Sequence, residues 1–169
     1  SLMFDDYVDP ESYPTDLTAW LSRGARPNEI TAPRLKQAIW ALIKGNESSS
    51  QTQSFLFIEE PFGRQRDEIA DLIDVVIHLD LPLAICLSRV ISRRLKQGYD
   101  KQTIAGISQY LEEYQATLFE IYSAANNWIR KDVDLCVNDQ TLTLDEQVEL
   151  VKDYLVSQSA FANNLMEVE

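Results

Sequence analysis

The chain has 169 residues, enough for one domain with a substantial buried core, and no internal repeat divides it. Its formal net charge of −12, from 27 acidic and 15 basic residues, removes duplex nucleic acid from the expected partners. No apolar run approaches the roughly 20 residues that a membrane span needs, so no membrane partner is expected either.

Ser1-Leu2 ahead of Met3 reads as an expression remnant, with the natural start expected at Met3 and no signal peptide expected. Leu2–Phe4 reads as the end of a strand running into Asp5-Asp6-Tyr7. Pro10 and Pro14 punctuate the loop that follows, and Leu17–Arg23 predicts a short helix closed by Gly24. Thr31 is a candidate N-cap, with Pro33 early in a helix reaching about Lys44. The apolar positions Leu35, Ile39, Leu42 and Ile43 recur there at helical spacing, and Gly45 is the expected stop. The polar, low-complexity stretch Asn46–Gln53 is expected to be a flexible loop.

Ser54–Glu59 and Val75–Asp80 are continuous apolar runs, the pattern of strands covered on both faces. Pro82 opens a predicted helix to about Lys96, ended by Gly98, and a long helical stretch runs from near Lys101 to Trp128 or Arg130. Asp134–Val137 reads as a last strand, and Thr143 with Glu146 forms a capping box for a final helix. Strands separated by such helices imply parallel pairing with right-handed crossovers. The expected fold is α/β, three layers in αβα order around a mostly parallel sheet. Cys86 and Cys136 sit in apolar runs without paired spacing, which suits reduced, buried thiols in a cytoplasmic protein.

In parallel α/β sheets, ligands bind beyond the carboxyl ends of the strands. Asp5-Asp6, Glu59-Glu60 and Asp80 all fall at such ends and gather carboxylates on one rim. A carboxylate there can hold magnesium, usually through water, or accept a proton from a substrate hydroxyl. It can equally cap the next helix or stand in solvent. Arg89, Arg93 and Arg94 lie on one predicted helix, Arg89 and Arg93 on a common face, while Arg64 and Arg66 follow the glutamate pair. Guanidiniums facing a carboxylate-bound cation suit phosphoryl transfer, where developing charge must be neutralised. Ordinary solvated arginines would look the same. His78, between Ile77 and Leu79, reads as a core or sheet residue, which leaves serine or cysteine hydrolase chemistry little support.

"FDDY" with its Pro-containing loop, then "FLFIEEPFGR", then "VVIHLDLPLAICLSRVISRRL", resembles the uridine-kinase-like branch of the P-loop nucleoside and metabolite kinases. The likeness runs from Phe4 to about Leu155. It implies a P-loop NTPase-like fold and ATP-dependent phosphoryl transfer to a hydroxyl of a nucleoside or related small-molecule substrate, with Mg2+ and ATP as cofactors. It implies Asp5, with Asp6 as its close competitor, as catalytic base or hydroxyl ligand, and Glu59 and Glu60 on the magnesium. It further implies a lid over about residues 89–105 bearing Arg89, Arg93 and Arg94, and an acceptor and phosphate side formed by Tyr7, Arg64 and Arg66.

One element of the family pattern is missing. The phosphate-binding motif G-x-x-x-x-G-K-S/T needs two correctly spaced glycines, and the five here, at 24, 45, 63, 98 and 106, do not supply them. The chain therefore reads as a single, N-terminally incomplete domain whose first strand aligns with the family's second, and ATP binding by these residues is expected to be weak or absent. In that family the strand before the phosphate loop lies between those corresponding to Ser54–Glu59 and Val75–Asp80. A folded form is expected to close this gap by pairing those strands directly, by moving the N-terminal segment inward, or by taking a strand from a second copy as a homodimer. Besides the kinase, two other readings follow: a non-catalytic kinase-fold remnant serving as a binding or assembly module, and a carboxylate-based metal hydrolase.

Overall fold

Residues 1–46 and 55–166, which the computed structural model describes, form four short strands and six α-helices. In chain order these are β1 (Leu2–Met3), α1 (Leu17–Ser22), α2 (Pro33–Asn46), β2 (Ile58–Glu59), β3 (Ile77–Leu79), α3 (Leu83–Gln97), α4 (Lys101–Glu113), α5 (Phe119–Ile129), β4 (Leu135–Val137) and α6 (Leu144–Met166). The expected flexible loop at Asn46–Gln53 lies outside the described residues except for Asn46, the last residue of α2.

Local chemistry accounts for most boundaries. Asp16 caps α1 by accepting from the Ala19 amide at 2.8 Å, and Gly24, at φ 94°, closes it by donating to the Leu21 carbonyl. Helix α2 begins at Pro33, which leaves Thr31 short of the capping position expected for it; its carbonyl instead accepts from the Asp9 amide at 2.8 Å. The helix also continues through Gly45 instead of stopping there. Pro82 and Gly98 bracket α3, and Thr143 and Glu146 exchange the hydrogen bonds of the capping box at the start of α6.

The strands bear out an α/β fold with parallel pairing, in two pieces. Leu2 stands opposite Ile58 and Met3 opposite Glu59 in one parallel pair; Ile77, His78 and Leu79 stand opposite Leu135, Cys136 and Val137 in the other. Among the described residues no strand hydrogen bonds join the pairs, so the single sheet and the direct pairing of Ser54–Glu59 with Val75–Asp80 are corrected to two two-stranded sheets. Coverage is corrected too. Phe55 and Phe57, which precede the two-residue β2, and Leu79 of β3 are more than half exposed, so these runs are not covered on both faces.

The main core gathers against β1 and β2: Leu2 and Phe4 pack with Trp20 of α1, Leu35 and Ile39 of α2, and Phe62 and Ile69 of the β2–β3 connection. Ile121, Ala124, Ala125 and Trp128 close it from α5. Gly63 holds φ +55°, and a Cβ there would meet Val76 Cγ1 at 3.1 Å, so only glycine brings this connection against the start of β3. Between α4 and α5 the helix widens into a π-helical turn over Tyr114–Leu118. Tyr114 and Tyr122 are eight positions apart, about two turns when one is α and the other takes roughly a residue more, so their rings meet with centroids 6.2 Å apart.

Candidate functional site

The 3-10 turn Phe4–Asp6 follows β1 directly, with Phe4 buried as its anchor and Asp5 and Asp6 turned to solvent. Because Met3 is opposite Glu59, the exposed Glu59 carboxylate stands at the same carboxyl end as Asp5. Tyr7 is half-buried against the core, and the Asp6 carbonyl accepts from Arg34 Nη2 at 3.4 Å. Two tyrosines absent from the sequence reading feel Asp5. Burial first, then the Asp5 charge, raise the Tyr13 phenol. Tyr122 is pushed up to about 12 by burial, by its hydrogen bond with Tyr110 and by the nearby Tyr110, Tyr114 and Asp5.

Glu60 and Arg66 turn inward. Arg66 Nε donates to Glu60 Oε1 at 2.7 Å, and their side chains are only 1% and 3% exposed. Arg66 Nη1 donates to the Pro27 and Ile30 carbonyls, and its guanidinium lies 4.6 Å from the Phe4 ring centroid and 5.4 Å from that of Phe62. Burial raises the Glu60 carboxyl, against the pull of Arg66 and of the Phe62 and Gly63 amides. Arg64 is held at the other end of the second pair, donating to Asp132, to Asp134 and to the Asp74 carbonyl. Asp134 also accepts from the Val76 amide at 2.7 Å, so this arginine ties the starts of β3 and β4 together.

Asp80, the acid just after β3, is engaged at 2.5 and 3.2 Å by Arg130, which caps the end of α5, and His78 Nε2 lies 3.5 Å from it. The Arg130 hydrogen bond is the chief reason the Asp80 carboxyl sits below its ordinary range. His78 is buried, as expected for a sheet residue, whereas Cys136 is exposed and Cys86 only half-buried, which corrects the expectation of two buried thiols. On α3, Arg89 and Arg93 are exposed. Arg94 is half-buried: it stacks 4.5 Å from the Tyr110 ring centroid and donates to the Gly106 carbonyl at 3.0 Å.

Asp5 and Glu59 suit a hydrated Mg2+, which takes one or two carboxylates and completes its shell with water or phosphate. Glu60, committed to Arg66, does not. Among the described residues no group of three His, Cys, Asp or Glu is assembled to hold a metal, and no described helix is long and apolar enough to cross a membrane. The five glycines stand singly, none in the spacing of the phosphate-binding motif. Compared with protein-family models, with curated proteins and with solved structures, the chain matches none.

Proposed function

We propose that this chain is the larger part of a P-loop-kinase-like small-molecule phosphotransferase, acting on a hydroxyl of a nucleoside or related metabolite. The observation that carries the reading is the division of four parallel strands into the pairs β1–β2 and β3–β4. The closure expected between β2 and β3 does not occur by direct pairing, and in this reading the strand leading to the family's phosphate loop, central in its sheet, belongs to polypeptide other than these residues. In this reading Asp5 accepts the hydroxyl proton, with Asp6 beside it, Glu59 shares a hydrated magnesium ion, and Arg89 and Arg93 remain free to approach phosphate from the lid. ATP would be held by a Gly-rich loop brought in with the central strand.

The test begins with the reading frame upstream of the Met3 codon. An encoded G-x-x-x-x-G-K-S/T, joined to this chain, should confer ATP-dependent phosphorylation on a panel of nucleosides and related hydroxyl compounds. Asp5→Asn should then lower turnover by about 100-fold or more while ATP binding persists, the usual loss when a general base is removed. Residues 1–169 alone should show weak or no Mg-ATP binding by calorimetry. An in-frame stop close upstream, with no such loop, overturns the reading.

A non-catalytic binding or assembly module is the second reading, and one observation favours it. Glu60, Arg64 and Arg66 are all spent on internal ion pairs. Retained folding with no phosphotransfer from the joined protein would select it.

A further inference from the structure

We infer that the open hollow at the carboxyl ends of β3 and β4 is a binding site for a neutral polyhydroxy compound, a sugar or polyol. The hollow holds about 460 Å3, within the range of small-molecule sites. Asn126 and Asn127 of α5, Arg130 just beyond its end, and Asn138 and Gln140, which follow β4, line it together with Asp80. Among the described residues none of the four side-chain amides has a hydrogen-bond partner. Each offers a carbonyl and an NH2 group, so together they present donors and acceptors in equal number around one space. Hydroxyl groups, which also donate and accept, match that lining.

The same lining argues against other ligands. No aromatic ring borders the hollow, so a nucleobase would find no stacking surface. Arg130 is already engaged by Asp80, so a phosphate or carboxylate would find no uncommitted cation. Asp80 stays ionised and is oriented by Arg130 in front and His78 behind, with lone pairs left for a pair of neighbouring hydroxyls. Ser123 adds a hydroxyl that donates to the Phe119 carbonyl at 2.7 Å and can still accept. Leu81, Pro82 and Leu83 supply an apolar wall suited to the C–H face of a sugar ring. The site is independent of the phosphotransferase reading, and its test uses neither ATP nor turnover.

Side-chain amide resonances of the full chain report directly on the four residues. Titration with glucose, ribose, myo-inositol and glycerol should move the Asn126, Asn127, Asn138 and Gln140 signals saturably for at least one compound. Adenine and inorganic phosphate should leave them in place. Asn127→Leu and Asn138→Leu alter exposed positions, and each should weaken binding by about tenfold with the remaining spectrum unchanged. The inference is overturned if none of the four polyols saturates these signals. It is equally overturned if adenine or phosphate moves them instead, or if both variants bind as the parent does.

Discussion

Arg66 and Glu60, six residues apart, meet at 2.7 Å in a place almost closed to water, with Phe4 and Phe62 stacked about the guanidinium. A charge removed from solvent in this way is tolerated only with its partner present. Arg66→Met and Glu60→Gln should therefore each cost about 3–5 kcal/mol in urea unfolding. The double variant should cost clearly less than the sum, because the second change removes a charge that the first left stranded. Additive losses would show that the two do not act as a pair.

His78 gives the protein a dependence on acid. Burial holds its imidazole below the ordinary value and Arg130 adds to this, while Asp80 pulls the other way. Cys136 stands opposite it in the strand register. As pH falls through about 6.5, the unfolded chain takes up the proton and the folded chain does not, so stability should decline. His78→Gln removes this component. The unfolding free energies of parent and variant should run parallel above about pH 7.5 and converge or cross below about 6.5, by at most roughly 1.4 kcal/mol per pH unit. Parallel curves throughout would contradict the assignment.

The same substitution should have opposite signs at two glycines. Gly63→Ala forces a Cβ to 3.1 Å from Val76 Cγ1 at φ +55° and should destabilise by about 1–3 kcal/mol. At Gly106, in the middle of α4, nothing lies within 4 Å of the added methyl. Gly106→Ala should stabilise by about 0.5–1 kcal/mol, since glycine costs a helix interior that much relative to alanine. Thermal unfolding of both variants checks the pair.

Arg94 fastens α3 to α4 through Tyr110 and the Gly106 carbonyl, while Arg93 beside it is exposed. Arg94→Ala should speed amide exchange in the last turn of α3 and the first turns of α4, at a cost of about 1 kcal/mol. Arg93→Ala should leave that exchange unchanged. Equal effects would mean that the stack does not hold the hairpin.

Elements with a local cause were legible in the sequence. Gly24 and Gly98 end helices, the Thr143–Glu146 box starts one, and the parallel relation of the strands follows from the helices between them. Only part of the expected rim was legible: Asp5 and Glu59 stand at the carboxyl end of paired strands, whereas Asp80 follows a strand of the other sheet and Glu60 turns inward to Arg66. What escaped was the fate of charges whose partners lie far along the chain. Arg64 meets Asp132 and Asp134 roughly 70 residues away, and Arg130 meets Asp80 across 50, spacings that no periodicity marks. Arg66 could have been suspected, because Phe62 and Glu60 are near enough in sequence to shelter it. The number of sheets was not legible, since a continuous apolar run reads the same with one neighbouring strand as with two.

The widened turn at Tyr114–Leu118 works as a clock setting for everything after it. Each residue advances an α-helix by about 100°, so removing one residue from this turn would restore regular winding and rotate all of α5 by roughly that angle against α4. Tyr122 would swing off Tyr114, Trp128 would lose the Gly24 carbonyl that its indole meets at 2.9 Å, and Arg130 would turn away from Asp80. The single supernumerary residue thus times three distant engagements at once.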